Sequence, residues 1–159
     1  MKDPNLYRPC VGIVLFKAGS GIWSGKRIGH FNHAWQMPQG GIDENENPRT
    51  AALRELQEET SVTSAKIIDQ TSDWIYYDLP KDVVPNFWGG KYLGQRQIWF
   101  LMEFTGNESE INIETTEPEF SNWAWENPQF LLDNGIEFKR EVYEKVFNKW
   151  QNFIEPTKA

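Results

Sequence analysis

The segment 40–62, GGIDENENPRTAALRELQEETSV, decides which fold and which site this sequence encodes. Asn47 and Pro48 predict a helix start, because asparagine caps free backbone N–H groups and proline fits the first helical position. We expect that helix to run to about Thr60. The segment therefore predicts a glycine-rich loop over residues 40–46 that leads into one acidic helix.

Three glutamates of this helix share one face. Glu55, Glu58 and Glu59 stand at positions i, i+3 and i+4, which a helix stacks above one another. Like charges at that spacing repel by about 0.2–0.5 kcal/mol per pair, so a positive partner is expected. Hard divalent cations such as Mg²⁺ prefer carboxylate oxygens and keep positions for water and substrate phosphates. Ordinary solvated surface glutamates are the competing interpretation.

The residues around the three glutamates favour the metal site. Arg54 is placed to hold a neighbouring carboxylate through paired hydrogen bonds, and Leu56 points to the packed side of the helix. Gly40 and Gly41 let the backbone turn closely around a metal–phosphate group. The full pattern consists of Gly40, Glu46, Arg54, Glu55, Leu56, Glu58, Glu59 and Val62. At average residue frequencies this combination arises about once in a million chains, so the functional interpretation is favoured.

The remaining chain predicts a sheet between helices. Apolar runs indicate strands at 11–16, 22–23, 35–37, 74–77, 97–104 and 123–125. A short helix is expected from Asn127-Pro128 to Gly135, and a terminal helix over 137–153 has apolar residues at helical spacing. A loop is expected over 86–94. Strands, one central helix, more strands and a terminal helix predict the α+β class in one domain, residues 1–159.

Charge and composition limit the partners. The chain has 16 Lys and Arg against 23 Asp and Glu, a net charge of −7, whereas binding along a nucleic-acid duplex normally needs a basic surface. A small nucleotide or a phosphorylated nucleic-acid end remains possible. No apolar run is long enough to span a membrane, and the first residues have no signal-peptide pattern. Cys10 is the single cysteine, so we expect a protein of the reducing cytoplasm.

The acidic segment resembles the signature of the Nudix hydrolases. That signature is a glycine, five residues, glutamate, seven residues, and then Arg-Glu-aliphatic-x-Glu-Glu-x-Gly-aliphatic. Every position matches except Ser61, which replaces the final glycine. Glycine there ends the helix in a left-handed turn, so serine is expected to cost about 1 kcal/mol or to shift the helix end. The resemblance implies an α/β/α sandwich around a mixed central sheet.

Further stretches resemble one bacterial subfamily, the RNA pyrophosphohydrolases, also described as dinucleoside polyphosphate hydrolases. They are YRP at 7–9, VGIV at 11–14, WQMPQGG at 35–41, GQRQ at 94–97, WF at 99–100, PEF at 118–120, FKR at 138–140 and VY at 142–143. The subfamily implies removal of pyrophosphate from the 5′-triphosphate end of RNA, which hastens mRNA decay. It also implies dependence on Mg²⁺ or Mn²⁺.

The resemblance also implies residue roles. Glu55, Glu58 and Glu59 are the implied metal ligands, and the Pro-Glu-Phe match places a fourth at Glu119, with Glu117 as the alternative. Glu55 is the preferred general base, and Glu119 is the second choice. The supporting residues are Gly40, Gly41, Glu46 and Arg54, and a backbone carbonyl from Gln39 or Gly40 is a further possible ligand.

Four residues are implied in substrate binding. Arg8, Arg27 and Lys139 are candidates for contacting phosphates or the first bases, and Phe138 for stacking on a base. Arg27 and Lys139 have an equally strong interpretation as surface charges. Phe138 also fits the apolar stripe of the terminal helix, so core packing stays open for it.

Three functions remain open at this point. The first is an RNA 5′-pyrophosphohydrolase. The second is a hydrolase of dinucleoside polyphosphates such as diadenosine tetraphosphate, which present the same anhydride bond; an enzyme that removes oxidised nucleotides is a weaker variant. The third is a catalytically silent binding module, which is disfavoured because all the ligand glutamates are present.

Overall fold

The computed structural model describes residues 2–154, and an eight-stranded mixed sheet forms its centre. The strands are β1 (Tyr7–Lys17), β2 (Gly21–Arg27), β3 (Trp35–Gln36), β4 (Gln39–Gly41), β5 (Ala65–Gln70), β6 (Ile75–Asp78), β7 (Gly94–Phe104) and β8 (Phe120–Glu126). The order is β3-β2-β1-β7-β5, with β4 paired to β1, β6 to β7 and β8 to β2. β1 and β7 run parallel, and the other pairs are antiparallel.

Helices cover both faces of this sheet. They are α1 (Pro48–Thr60), α2 (Pro128–Asn134), α3 (Arg140–Lys149) and α4 (Gln151–Ile154). Side chains alternate along β1, so Val11 and Ile13 pack with Leu56 of α1, while Val14 packs with Val146 of α3 on the other face. The predicted mixed sheet between helices is therefore confirmed. Within residues 2–154, no helix is both long and apolar enough to cross a bilayer.

The start and the end of α1 follow from local sequence. The Asn47 side chain accepts the Thr50 backbone N–H at 2.8 Å, and Pro48 occupies the first turn. Ser61 takes the left-handed conformation (φ 67°, ψ 7°) in which glycine is usual, and its hydroxyl donates to the Asn112 carbonyl at 2.8 Å. Serine therefore does not shift the helix end, which lies at Thr60 as expected.

Two strands differ from the sequence-based expectation. Gly40 and Gly41 belong to β4, paired with Val11 and Cys10 of β1, so the predicted loop begins only after them. Their backbone groups pair with β1, and this non-local contact outweighs the low strand propensity of glycine. Strand β5 was not predicted, because its side chains show no alternation between buried and exposed positions.

The terminal helix predicted as continuous over 137–153 is interrupted. A 3₁₀ turn covers Glu137–Lys139, α3 follows, and the backbone leaves helical geometry at Trp150 (φ −111°, ψ 22°) before α4. Trp150 is 1% exposed, and its indole N–H donates to Asp69 of β5 at 2.9 Å. Burial of this large side chain with a paired N–H offsets the lost helical geometry.

The Ser61 conformation predicts a stability difference between two variants. Ser61→Gly and Ser61→Ala both lose the hydroxyl bond to Asn112, but only glycine relieves the left-handed strain. We expect the glycine variant to be more stable than the alanine variant by about 1 kcal/mol. Urea unfolding at equilibrium measures the difference, and equal midpoints with equal slopes would show that Ser61 is unstrained.

Candidate active site

One cavity of about 380 Å³ contains all the predicted ligand and substrate residues. Its lining includes Arg8, Arg27, Glu55, Glu58, Glu59, Glu119, Phe138 and Lys139, and also the alternative ligand Glu117. These residues come from β1, β2, α1, the segment before β8 and the segment after α2. The size lies within the range of about 300–1,000 Å³ that is usual for small-molecule sites.

The acidic side of the cavity is formed by α1. Glu59 is only 6% exposed, and its Oε2 atom has no hydrogen-bond partner within residues 2–154. Burial raises the pKa of Glu59 well above its ordinary value, and the charges of Glu55 and Glu119 raise it further. Burial also raises the pKa of Glu55, although Arg54 opposes that shift. The charges of Glu55 and Glu119 thus act on Glu59, and one buried oxygen of Glu59 has no hydrogen-bond donor among the described residues.

The glycines of β4 bring the backbone against this acidic side. A Cβ atom at Gly40 would overlap the carboxylate of Glu55, and one at Gly41 would overlap the guanidinium of Arg8. Pairing with β1 holds both glycines in this position. Gln39, the other predicted source of a carbonyl ligand, also lines the cavity.

The donor set fits a divalent cation, because it consists of carboxylate oxygens and includes the unpartnered oxygen of Glu59. No three acidic, histidine or cysteine side chains in residues 2–154 are already gathered at the spacing of a metal cluster. Arg54 helps to set the positions of two of these carboxylates, since its Nη1 donates to Glu55 at 2.8 Å and to Glu58 at 3.1 Å. Glu119 is exposed on the opposite loop.

Glu46 lies outside the cavity lining and joins the β4–α1 loop to the helix. Its carboxylate accepts bonds from Arg54 Nε at 2.9 Å and Nη2 at 2.8 Å, and from the Asp43 backbone N–H at 3.0 Å. Arg54 Nη2 also donates to the Gly41 carbonyl at 2.9 Å. The Arg54 guanidinium, followed by the backbone bond, lowers the pKa of Glu46 to about 2. Glu46 is therefore ionised and fixed in place.

The basic residues of the cavity are more buried than ordinary charged residues of a protein surface. Lys139 is 5% exposed, and its ammonium donates to Gln36 Oε1 at 3.4 Å, while Arg27 donates to the same oxygen at 2.7 Å. Burial, followed by the charge of Arg27, lowers the pKa of Lys139 to about 7, although Glu59 and Glu119 oppose that shift. Lys139 is thus a buried amine that faces the carboxylates.

Phe138 lies where the core meets the cavity, so its core packing is observed and its stacking on a base stays a prediction. Its ring is partly buried, lines the cavity and packs against the core cluster around α3. The ring lies beside Tyr77, with centroids 5.8 Å apart and planes inclined by 30°. Tyr77 extends this aromatic face, although sequence analysis did not assign it to the site.

Other residues of the cavity also escaped the sequence analysis. They are Phe31, Gln36, Phe87, Trp88 and Gln95 among the aromatic and amide side chains. Phe87 and Trp88 lie in the segment that was predicted as a glycine-containing loop, where two adjacent aromatic residues are unusual. That aromatic pair was the available signal. Gln36 and Gln95 lie in two of the stretches that resemble the RNA pyrophosphohydrolases, but the sequence analysis assigned neither of them to the site.

Solved structures confirm the class of fold. The dihydroneopterin triphosphate pyrophosphohydrolase of E. coli superposes with a TM-score of 0.68 at 15% identity, covering 91% of this chain and 99% of that one. An Ap4A hydrolase of C. elegans, solved as a binary complex, gives a TM-score of 0.64 at 18% identity, covering 91% and 99%. At these identities the likeness concerns the fold, an α/β/α sandwich around a mixed sheet.

Sequence comparison gives the family. The family model described as NUDIX domain matches residues 6–146, so this chain belongs to the NUDIX family. It is 50% identical over 150 residues to the RNA pyrophosphohydrolase of Dinoroseobacter shibae, covering 93% of this chain and 94% of that protein. It is 49% identical over 155 residues to that of Wolbachia pipientis subsp. Culex pipiens, covering 97% and 95%. The resemblance to Nudix hydrolases is therefore confirmed.

The close approach of Gly40 to Glu55 predicts a defect without unfolding. Gly40→Ala adds a Cβ that displaces the Glu55 carboxylate, and a misplacement of about 1 Å costs on the order of 100-fold in rate. We expect kcat for nucleotide hydrolysis to fall at least about tenfold while the melting temperature changes little.

Gly19→Ala is the control for this experiment. A Cβ at Gly19 meets no atom within 4 Å, although its φ of 79° adds strain. This variant is expected to keep wild-type kcat even if it melts slightly earlier. Wild-type turnover in Gly40→Ala would mean that the position of Glu55 does not matter for the reaction.

Proposed function

We propose that this chain is a metal-dependent pyrophosphohydrolase that removes pyrophosphate from the 5′-triphosphate end of RNA and thereby promotes mRNA decay. The observation that carries this proposal is one cavity in which carboxylates face buried basic groups and an aromatic pair. This arrangement suits an anhydride at one side and a nucleoside at the other. Relatives that are named RNA pyrophosphohydrolases match nearly the whole chain, which supports the RNA substrate.

In this proposal Glu55, Glu58, Glu59 and Glu119 hold Mg²⁺ or Mn²⁺ between α1 and the loop before β8. A bound divalent ion lowers the pKa of a water molecule and offsets the charge of phosphate oxygens. Glu55 would accept a proton from the attacking water, because its carboxylate lies in the cavity and Arg54 orients it at 2.8 Å. Glu119 is the second candidate for this step.

The remaining residues bind the substrate. Arg8, Arg27 and Lys139 contact phosphates or the first bases, since they line the same cavity as the carboxylates. Phe138 offers its face to a base beside Tyr77. The proposed partner is the 5′ end of RNA. The proposed location of the protein is the cytoplasm.

Loss of the proposed base predicts a defect in turnover. Glu55→Gln keeps the size of the side chain and its place beside Arg54, but it removes the group that accepts the proton. We expect kcat on triphosphorylated RNA to fall at least about 100-fold, with an unchanged circular dichroism spectrum.

Glu44→Gln is the matched control, because Glu44 is an exposed carboxylate of the β4–α1 loop that does not line the cavity. It is expected to keep wild-type kcat. Turnover of Glu55→Gln within a factor of a few of the wild type would remove Glu55 from this role.

The dinucleoside polyphosphate hydrolase is the second candidate function. The net charge of −7 favours a small substrate, because a longer RNA brings more phosphates towards an acidic surface. The acidic side of the cavity does not separate the two substrates, since both present an anhydride.

A direct comparison of the two substrates decides between these functions. We expect a higher kcat/KM on triphosphorylated RNA than on diadenosine tetraphosphate under one set of Mg²⁺ conditions. The reverse order would replace RNA by the dinucleotide. Release of neither phosphate nor pyrophosphate from any nucleoside polyphosphate, with Mg²⁺ or with Mn²⁺, would favour a catalytically silent module.

A further inference from the structure

Three aromatic residues outside the predicted set line the active-site cavity on loops. Phe31 lies between β2 and β3, and Phe87 and Trp88 lie between β6 and β7. All three side chains are partly exposed. We refer to Phe31, Phe87 and Trp88 together as the loop aromatic surface.

The loop aromatic surface continues the Tyr77–Phe138 pair along one wall. The ring of Phe31 meets Phe138 nearly at a right angle, with centroids 5.5 Å apart. The ring planes of Phe31 and Phe87 differ by only 7°, and their centroids are 6.4 Å apart. The ring centroid of Trp88 lies 5.6 Å from that of Phe87. The Trp88 plane is inclined by 48° to that of Phe87, so Trp88 and Phe138 present separate ring faces along this wall.

Core packing explains the loop aromatic surface only in part. Phe87 and Trp88 pack against the core cluster around α3, but among the described residues Phe31 packs against neither core cluster. Phe31 (φ 57°) and Trp88 (φ 49°) also adopt left-handed backbone conformations, which are unfavourable for bulky residues. The other non-glycine residues with positive φ in residues 2–154 are Asn45 and Ser61. Strained aromatic residues at a cavity suggest a role in binding.

Arg8 connects the loop aromatic surface to the phosphate side of the site. Its guanidinium lies over the Trp88 ring at 5.2 Å from the centroid, and it also borders Gly41 of β4. A phosphate bound by Arg8 is thus within the reach of a nucleoside that contacts Trp88. The Tyr77–Phe138 pair lies instead beside Lys139, whose ammonium is 5.8 Å from the Tyr77 ring centroid.

We propose that Trp88 of the loop aromatic surface stacks on one nucleobase of the substrate, and that Phe138, whose ring is backed by the buried Tyr77, stacks on a different one. The cavity then takes two bases of a single RNA strand, so the proposal rests on the RNA substrate proposed above. Single-stranded RNA suits such a site, because its unpaired bases separate and stack on aromatic side chains. An acidic protein gains affinity in this way without many phosphate contacts.

The test combines variants of each aromatic group with RNAs that lack one base. Wild type, Trp88→Ala and Phe138→Ala are compared on a short triphosphorylated RNA and on versions with an abasic ribose at the first, second or third nucleotide. Trp88→Ala is expected to lower kcat/KM on the intact RNA by about 5- to 150-fold, mainly through KM. That loss is expected to vanish for one abasic RNA, and the loss in Phe138→Ala is expected to vanish for a different one.

Three results would overturn the proposal. They are an unchanged kcat/KM in Trp88→Ala, an equal loss on all the RNAs, and losses in both variants that vanish at the same nucleotide. Trp88→Phe keeps an aromatic face and is expected to recover most of the activity, which separates stacking from misfolding. Tyr92→Ala is the matched control, because its ring lies 6.1 Å from Trp88 on the same loop but does not line the cavity.

The proposed RNA function has its own readout in this experiment. Wild-type kcat/KM on intact triphosphorylated RNA, compared with that on a nucleoside triphosphate, tests the substrate and does not depend on the variants. Fluorescence anisotropy of the labelled RNAs measures the binding affinities of the same variants for the same intact and abasic RNAs. Stacking is therefore tested even if the wild-type enzyme prefers another substrate.

Discussion

The site depends on the hydrogen bonds of a single guanidinium. Arg54 uses its three nitrogens to reach Glu46, the Gly41 carbonyl, Glu55 and Glu58. The planar fork of arginine provides five donors in a fixed geometry, which lysine lacks. The helix α1, the strand β4 and the loop between them are thereby held in one arrangement. The positions of the carboxylates follow from this arrangement.

Burial gives the two sides of the cavity opposite chemical character. Glu59 is held among other carboxylates with one unpartnered oxygen, and Lys139 is enclosed with Arg27. Each group is costly to bury in charged form. Both costs fall when a cation reaches the acidic side and a phosphate reaches the basic side. In the proposed function, the substrate and its metal would thus complement the charge of the site.

Aromatic rings make up the third component of the site. The Tyr77–Phe138 pair and the loop aromatic surface are in ring contact and line the same cavity. Such rings bind bases with little dependence on net charge, which suits a chain of charge −7. The proposed RNA substrate is therefore compatible with an acidic protein.

Local sequence alone determined the central part of this protein. The Asn47-Pro48 start and the spacing of Glu55, Glu58 and Glu59 depend on contacts within a few residues, so α1 was predicted correctly. The strands around 11–16 and 97–104 were also predicted, because continuous apolar runs indicate buried strands.

Only the tertiary structure decided the rest. The pairing of Gly40 with β1, the break at Trp150 beside Asp69, and the approach of Phe31 to Phe87 join residues that are far apart in the chain. Such contacts leave no periodic signal in the sequence. The burial of Lys139 likewise depends on what packs around it, and its residue type alone would have predicted a solvated charge.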